Sequence, residues 1–339
     1  MRAFQVTQLV HHSQIQLSNN VPEPIPKEGE ILIDVHSGGL NFFDILQTQG
    51  KYQIKPPLPF VLGTEFAGKV AQNSPIPQGC PFKPGDRVFG AGQGAYADKM
   101  AAKYDSVLPL PDALTYEQGA GTKYSRGVYT WPTSYEGLVG RAQMKPGEWV
   151  LVTAAAGGVG IAAVQLAKVL GGKVIAAAGS QEKLEIAKRY GAADYLIDYS
   201  KPDWQKDVLK ITNGKGVDVV FDPVGLIQSS FKCMAWRGRA IVVGFAAGSI
   251  EKLPSNLILL KNISVVGLHW GAYRIHENER VGEVWKELLE LFSSGKAKPV
   301  VYSEVYSLDT LSQGLTALEK RKTYGKVIVN IKKNNGAKL

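Results

Sequence analysis

Two cysteines among 339 residues, Cys80 and Cys233, are too few and too far apart for a disulfide framework or a thiolate-rich metal site, and they form no Cys-x-x-Cys pair. That usage fits a reducing compartment. No apolar stretch reaches the roughly 18 residues of a membrane-spanning helix, because Gly, Lys or Asp cuts each one short, so no membrane partner is expected. The first residues, Met-Arg-Ala-Phe-Gln-Val, read as a strand rather than a leader, and a cytoplasmic location is expected. Acidic residues are outnumbered, 30 against 39 Lys and Arg, for a net charge of +9. Apart from Lys320-Arg321-Lys322 and the Lys332-Lys333 tail the basic residues are scattered. They suit a solvated surface or the steering of anions to a cleft better than the concentrated stripe nucleic acid requires. The five histidines, His11, His12, His36, His269 and His276, are scattered too, and with no nucleophile elbow there is no Ser-His-Asp set. Asn262-Ile263-Ser264 matches a glycosylation acceptor but lies in an apolar run, where it is accidental.

What is present is ordinary globular composition, 45% hydrophobic and 20% charged, over a length that suggests about two domains. The most informative stretch is residues 148–179. Trp149 to Val152 is a short apolar run of the kind buried on both faces of a parallel sheet. Ala154-x-x-Gly157-x-x-Gly160 follows at the turn where a dinucleotide-binding fold carries its glycine fingerprint, with Ala154 in place of the usual first glycine. In that setting Gly157 lets the backbone approach a pyrophosphate, and Gly160 lets the helix pack closely on the sheet. The helix from about Val159 to Leu170 would turn its unpaired N–H groups and positive dipole end toward the phosphates. Strand, turn, helix and second strand (Lys173 to Ala178) occur in order at the spacing of one βαβ unit, which a chance glycine turn would not produce.

Before this stretch the chain is β-rich. Strands are expected over Met1 to Thr7, Glu30 to Val35, Glu65 to Val70, Asp86 to Phe89 and Ala95 to Ala101, with a short helix over Asn41 to Gln49. Glu117 to Arg141 reads as a helical connector with an irregular middle. After it, helices at Gln181 to Tyr190, Trp204 to Thr212, Ile227 to Trp236 and Pro254 to Lys261 alternate with strands at Asp194 to Asp198, Val217 to Phe221, Arg239 to Val243 and Ile263 to Leu268. This rhythm predicts a doubly wound parallel sheet with right-handed crossovers. An amphipathic helix over Glu279 to Ser294 carries Val284, Leu288, Leu291 and Phe292 on one face. Strands at Ser303 to Ser307 and Lys326 to Ile331 flank a helix from Asp309 to Arg321, with Asp309 as its N-cap. These late elements break the βα rhythm and are assigned to the first domain. The expected division is 1–131 and 273–339 for a β-rich domain, with a Rossmann domain over 132–272 inserted between them.

Several motifs together resemble the zeta-crystallin-like quinone oxidoreductase branch of the medium-chain dehydrogenase/reductase superfamily. They are Val-Leu-Val-Thr-Ala-Ala-Ala-Gly-Gly-Val-Gly with Ala-Val-Gln-Leu-Ala-Lys, Leu40-Asn41-Phe42-Phe43-Asp44, Gly50-Lys51-Tyr52, Pro59-Phe60-Val61-Leu62-Gly63-Thr64-Glu65, Lys83-Pro84-Gly85-Asp86-Arg87-Val88, Asp222-Pro223-Val224-Gly225, Gly244-Phe245-Ala246-Ala247-Gly248 and Gly325-Lys326-Val327. The resemblance implies a GroES-like catalytic domain, a Rossmann domain, NADPH in the cleft between them, and a homodimer. In this superfamily zinc-dependent members carry a cysteine near position 41, a Gly-His-Glu motif and a lobe of four cysteines. This chain has Asn41, Gly63-Thr64-Glu65 and no such lobe, so neither a catalytic nor a structural zinc is expected.

The second strand ends Ala176-Ala177-Ala178-Gly179-Ser180 with no carboxylate to bind ribose hydroxyls, which favours a 2′-phosphate and hence NADPH. Lys183 is read as its ligand rather than as a solvent-facing helix lysine, and Ser180 as a second one. Tyr199 either joins them or covers the core. Ala156, Gly157, Gly158, Val159, Gly160 and Gly179 form the rest of the phosphate side. On the nicotinamide side the resemblance implies Asn41, Thr133, Gly244, Phe245 and Ala246, although Asn41 and Thr133 also suit helix N-caps. Asn256 and Lys261 could support the site, Asn256 more often as a cap.

Reduction of a quinone needs little from the protein beyond orientation and a dry pocket, because the anion that results is stabilised by aromaticity. Phe42, Phe43 and Tyr52 could wall such a pocket, with the Tyr52 hydroxyl as donor to the carbonyl. One of the two phenylalanines is expected in the core. Trp270 and Tyr273 line either the pocket or the core, and Leu46 stands where some relatives carry a second tyrosine. The leading expectation is an NADPH-dependent quinone reductase acting without metal. The alternatives are reduction of the C=C bond of an enone, alkenal or enoyl thioester, and an AU-rich-RNA-binding or structural role, which some zeta-crystallin-like proteins are reported to have.

Overall fold

The computed structural model describes residues 1–52, 55–122 and 130–332. The irregular middle expected in the 117–141 connector falls on 123–129, outside them. The chain divides into two compact units, Met1–Val128 with Lys298–Leu339, and Tyr129–Ala297.

The first unit begins with β1 (Gln5–Val6), much shorter than the expected opening strand. There follow β2 (Glu30–Gly39), α1 (Phe42–Thr48), β3 (Phe60–Val61), β4 (Glu65–Val70), β5 (Arg87–Ala91), β6 (Lys99–Lys103), β7 (Val107–Pro109) and α2 (Tyr116–Ala120). β1 pairs antiparallel with β3. The ten-residue β2 is the hub of a seven-stranded sheet. One of its edges pairs with β4, and Glu30–Asp34 pairs with β6. A bulge between Val35 and Ser37 bends it, as an extra residue in one strand does. Ile31, Ile33, Val35, Phe66, Val88 and Tyr96 lie within its core.

The second unit opens with α3 (Trp131–Glu136). It continues as β8 (Trp149–Val152), α4 (Gly158–Val169), β9 (Lys173–Ala178), α5 (Gln181–Gly191), β10 (Tyr195–Asp198), α6 (Trp204–Ile211), β11 (Val217–Asp222), α7 (Ile227–Ser230), β12 (Met234–Val242), α8 (Ser255–Lys261), β13 (Ser264–Gly267), α9 (Tyr273–His276) and α10 (Asn278–Ser293). The six strands are parallel in the order β10-β9-β8-β11-β12-β13, the Rossmann order 3-2-1-4-5-6. Every residue of β11 is buried, as helices on both faces require.

Two expectations are corrected here. The helix over Ile227 to Trp236 lasts only to Ser230, tightens into a 3₁₀ turn over Phe231–Cys233, and gives way to β12 at Met234. Met234 pairs with Val217, and a Cβ on Gly216 would come within 2.7 Å of Cys233 O. Strand pairing therefore takes backbone that the apolar spacing alone assigned to a helix. The return to the first unit comes at residue 298, not 273. α10 buries Val281, Val284, Trp285, Leu288 and Phe292, and Phe292 meets Trp131 of α3 edge-on at 5.0 Å. Arg280 ties the same helix to the buried Glu136 at 2.9 Å.

The chain then completes the first unit with β14 (Tyr306–Ser307), α11 (Leu311–Glu319) and β15 (Ile328–Asn330). β15 pairs with β2 over Ser37–Gly39. α11 starts two residues later than expected. Its N-cap is Thr310, not Asp309, and the Thr310 hydroxyl accepts from Ser307 N–H at 2.9 Å instead of capping. Mixed α/β architecture, a GroES-like β unit and a Rossmann sheet are thus present. Among the described residues no helix is long and apolar enough to cross a membrane.

Candidate active site

In the second unit the turn after β8 is built on Ala154, whose φ of 46° lies in the left-handed region and explains why a glycine commonly stands there. A Cβ on Gly160 would come within 2.2 Å of Ala154 O, so only glycine allows the first turn of α4 to lie on the turn backbone. Gly157 is the exposed N-cap of α4, and Gly158 and Val159 are its first residues. Ala156 is buried. The helix end of α4 thus faces outward at the carboxyl edge of β8, beside β11, where the strand order reverses and such folds bind ligands.

β9 ends at Ala178. Ser180 caps α5 by accepting the Lys183 N–H at 3.4 Å, and Lys183 is half-buried in the first turn. Tyr199, just past β10, donates its N–H to Ala178 O at 3.1 Å. Its ring lies against Gly179, where a Cβ would approach to 3.2 Å. Burial, and then Asp222 and Asp198, push the Tyr199 hydroxyl pKa up, so it stays protonated and able to donate. Asp198 itself is held low by two hydrogen bonds from Ser200, at 2.6 and 3.0 Å. The fold therefore gathers 156–160, 179, 180, 183 and 199 at the carboxyl ends of adjacent strands.

Two residues of the quoted motifs, given no role in the sequence reading, organise the neighbouring loops. Thr153 hydrogen-bonds Asp222 Oδ1. The Asp222 carboxylate also accepts from Val224, Gly225 and Leu226 N–H at 3.2, 2.9 and 2.7 Å. The pinned segment then receives Ala246 N–H on Pro223 O and Ala247 N–H on Val224 O, both at 3.1 Å. Gly244, Phe245 and Ala246 are shaped through this chain, and Phe245 is 42% exposed. An acidic residue ending a buried strand ahead of Pro-Val-Gly was the available signal.

Thr133 is buried inside α3 and does not cap it; the N-cap is Thr130. Beside it, Ser134 Oγ lies 2.8 Å from Val159 O, joining α3 to the first turn of α4. Trp270 is buried and stacks on Tyr273 at 4.8 Å, so packing accounts for its position. His269 is exposed, and Asn256 is an exposed first-turn residue of α8, whose N-cap is Pro254. Lys261 Nζ donates to Phe231 O at 2.5 Å, closing the 3₁₀ turn before β12.

In the first unit Asn41 is the N-cap of α1 by backbone, but its side chain works elsewhere. Asp44 accepts the Asn41 N–H at 2.8 Å, while Asn41 Nδ2 donates to Gly39 O at 3.1 Å and Oδ1 accepts from Lys326 Nζ at 2.6 Å. Lys326 also pairs with the fully buried Glu65 at 2.5 Å. Tyr96 donates to Asp44 at 2.6 Å, and burial with Asp44 nearby pushes its pKa well up. A Cβ on Gly39 would come within 2.4 Å of Glu65 Oε2, so the glycine makes room for the ion pair. α1 buries Asp44, Ile45, Gln47 and Thr48. Neither Phe42 nor Phe43 is in the core: Phe42 is 54% exposed, and Phe43 is half-buried and meets Tyr52 edge-on at 4.5 Å. Lys326 is the residue here that the sequence reading quoted but gave no role.

A family model described as zinc-binding dehydrogenase matches residues 158–294, and one described as alcohol dehydrogenase GroES-like domain matches 27–112. Over 309 residues the chain is 40% identical to the quinone oxidoreductase-like protein 2 homolog of Nematostella vectensis, covering 89% of this chain and 82% of that one. It is 31% identical to human quinone oxidoreductase over 320 residues, 92% of each. Among solved structures, the Escherichia coli quinone oxidoreductase complexed with NADPH superposes with a TM-score of 0.80 at 30% identity, over 98% of this chain and all of that one. A probable oxidoreductase from Mycobacterium abscessus gives 0.85 at 32%, over 98% and 99%. The chain belongs to the quinone oxidoreductase family of the medium-chain dehydrogenase/reductase superfamily, a family of oxidoreductases.

Proposed function

We propose that the protein is an NADPH-dependent quinone reductase that works without a catalytic metal. The observation carrying this reading is the Lys326 ammonium, 2.6 Å from Asn41 Oδ1 and 2.5 Å from Glu65. Zinc requires thiolate, imidazole or free carboxylate donors. Here an amide and a carboxylate are already engaged with a fixed positive charge, which would repel a dication, so these residues do not fit zinc.

The second unit fits a phosphorylated nicotinamide cofactor. When bound, NADPH supplies the hydride. Gly157 and the first turn of α4 would hold its pyrophosphate. Ser180, Lys183 and the protonated Tyr199 hydroxyl offer donors for a 2′-phosphate, with no carboxylate ending β9 to oppose it. The solved Escherichia coli relative with NADPH supports this choice. Gly244, Phe245, Ala246 and Thr133 would border the nicotinamide. Lys326 can only donate, so it fixes the Asn41 amide with Oδ1 inward and one Nδ2 hydrogen on Gly39 O. The second Nδ2 hydrogen is the group offered to a ligand. Phe42 and Tyr52 would supply apolar wall and donor for the quinone.

The test is cofactor oxidation with NADPH and NADH against simple quinones and, in parallel, enones and alkenals. Quinone-dependent oxidation of NADPH is expected. Turnover of enones alone would move the assignment to C=C reduction, and turnover with neither would overturn it. We further propose a homodimer through β13. It ends the sheet, and the adjoining α8 has no buried residue, leaving Leu259 and Leu260 78% and 69% exposed. An open strand edge beside apolar side chains suits pairing with a second copy about a two-fold axis.

A further inference from the structure

We infer that His11, His12 and Glu319 form a binding site for one divalent transition-metal ion, with zinc the best-suited occupant. It stands apart from the positions at which zinc-dependent members of the superfamily hold their metal. Among the described residues these are the one group of His, Cys, Asp and Glu donors close enough to share an ion, with ligand atoms all within 4.8 Å of one another. They come from segments some 300 residues apart, the 3₁₀ turn over His12–Gln14 with its N-cap His11, and the last residue of α11.

His11 Nε2 hydrogen-bonds the Glu319 carboxylate, and the spacing of the three groups also suits a shared ion. His11 Nε2 and His12 Nε2 stand 3.4 and 3.7 Å from the same Glu319 oxygen, Oε2. Bonds of about 2.0–2.2 Å around a tetrahedral zinc put ligand atoms roughly 3.3–3.5 Å apart, so each histidine already stands near that separation from the shared oxygen, and the set as a whole, within 4.8 Å, need only contract around the ion. His12 is fully buried, and its Nε2 has no hydrogen-bond partner. Leaving such an atom unpaired is costly, and 3.7 Å is too long for a hydrogen bond to the carboxylate it faces. An ion between them would satisfy both. The remaining ring nitrogens are already engaged as they are in metal-bound histidines. His12 Nδ1 lies 3.0 Å from Ser312 Oγ, and His11 Nδ1 lies 2.8 Å from Ser13 Oγ. His11 Nδ1 also accepts the Ser13 N–H at 3.3 Å, so an ion held by both Nε2 atoms requires the His11 ring to take the tautomer with its proton on Nδ1, donated to the Ser13 hydroxyl.

The side chains of His11 and Glu319 are 38% and 37% exposed, which gives an ion access and leaves room for water as fourth ligand. Two imidazoles and one carboxylate suit zinc over calcium or magnesium, which take oxygen donors. A bound ion would clamp the N-terminal turn to α11, whose first turn already holds His12 through Ser312. The inference does not depend on the reductase reading.

The test is calorimetric titration of chelator-stripped, tag-free protein with zinc chloride, together with thermal unfolding with and without zinc. Wild type is expected to bind one ion per chain and to unfold at a higher temperature with zinc. His11→Ala and Glu319→Gln, changes at half-exposed side chains that leave the circular dichroism spectrum intact, should each weaken binding at least tenfold and abolish the thermal shift. His12→Ala is the less useful variant, since it empties a buried position. Absence of stoichiometric binding by wild type, or wild-type affinity retained in both exposed-side variants, would overturn the site.

Discussion

Lys326 Nζ lies 2.6 Å from Asn41 Oδ1 and 2.5 Å from Glu65 Oε2, so one buried ammonium joins the side-chain amide of the residue before α1 to a strand carboxylate 24 residues further along. Its side chain is 9% exposed and that of Glu65 wholly buried. Charge-assisted bonds of this kind are short and directional. The arrangement holds the Asn41 amide in one orientation and gives Glu65 a counter-ion.

Lys326→Met is therefore expected to destabilise the protein by about 3–5 kcal/mol, because it leaves the Glu65 carboxylate buried beside an apolar chain. Urea unfolding measures the loss. The double variant Lys326→Met with Glu65→Gln should recover part of it by removing the stranded charge. If the double variant is no more stable than the single one, the ion pair is not what Lys326 contributes.

Gly160→Ala puts a Cβ 2.2 Å from Ala154 O, a backbone atom that cannot rotate away. A loss of about 1–3 kcal/mol is expected from overpacking. Because the displaced backbone is the proposed pyrophosphate turn, NADPH affinity measured by fluorescence titration should fall at least tenfold with the fold retained. Unchanged affinity would place the cofactor elsewhere.

Lys183→Ala should lower kcat/KM for NADPH while sparing NADH, since only the former carries the 2′-phosphate. A lost charge-assisted hydrogen bond of about 1.5–3 kcal/mol corresponds to roughly a tenfold to hundredfold change in preference. An equal loss with both cofactors would show that Lys183 acts on the fold and not on the phosphate.

What was legible beforehand was whatever local pattern encodes. The βα rhythm, the glycines at 157 and 160 and the carboxylate-free end of β9 each depend on neighbours within a few residues. The partners of a side chain that meets its contact across the chain were not legible. Lys326 reaches Asn41 over 285 positions, and His12 reaches Ser312 over 300. The apolar face of α10 announced burial but not that Trp131 would receive it, which displaced the expected boundary. Met234 and Ala235 continue a helical spacing and become a strand only because Val217 pairs there.

His36 offers a pH test. Burial first, and then Lys332 and Lys69, lower its pKa to about 4 from the ordinary 6.5. The folded state thus prefers the neutral ring, and the unfolded chain binds more protons between those values. The contribution is fully present above pH 6.5 and is lost as pH falls toward 4. Because the ring is partly solvated, the loss is expected to be roughly 1–2 kcal/mol. His36→Phe, which keeps an aromatic face on Tyr116, now stacked at 4.1 Å, should flatten stability across that window. An identical slope in wild type and variant would assign the acid sensitivity to other groups.

The open edge at β13 gives the last prediction. Leu259 and Leu260 are too exposed for their size on a helix with no buried residue, yet α8 is held in place by Ile258, which packs on the core. If a second copy covers them, replacing both by glutamate should repel the partner and leave the helix standing. Light scattering should then report a dimer for wild type and a monomer for Leu259→Glu with Leu260→Glu, with little change in circular dichroism. Stability of the monomer should be independent of protein concentration, whereas that of the dimer should rise with it. A wild-type chain that is monomeric at micromolar concentration would remove the dimer proposal while leaving the reductase reading intact.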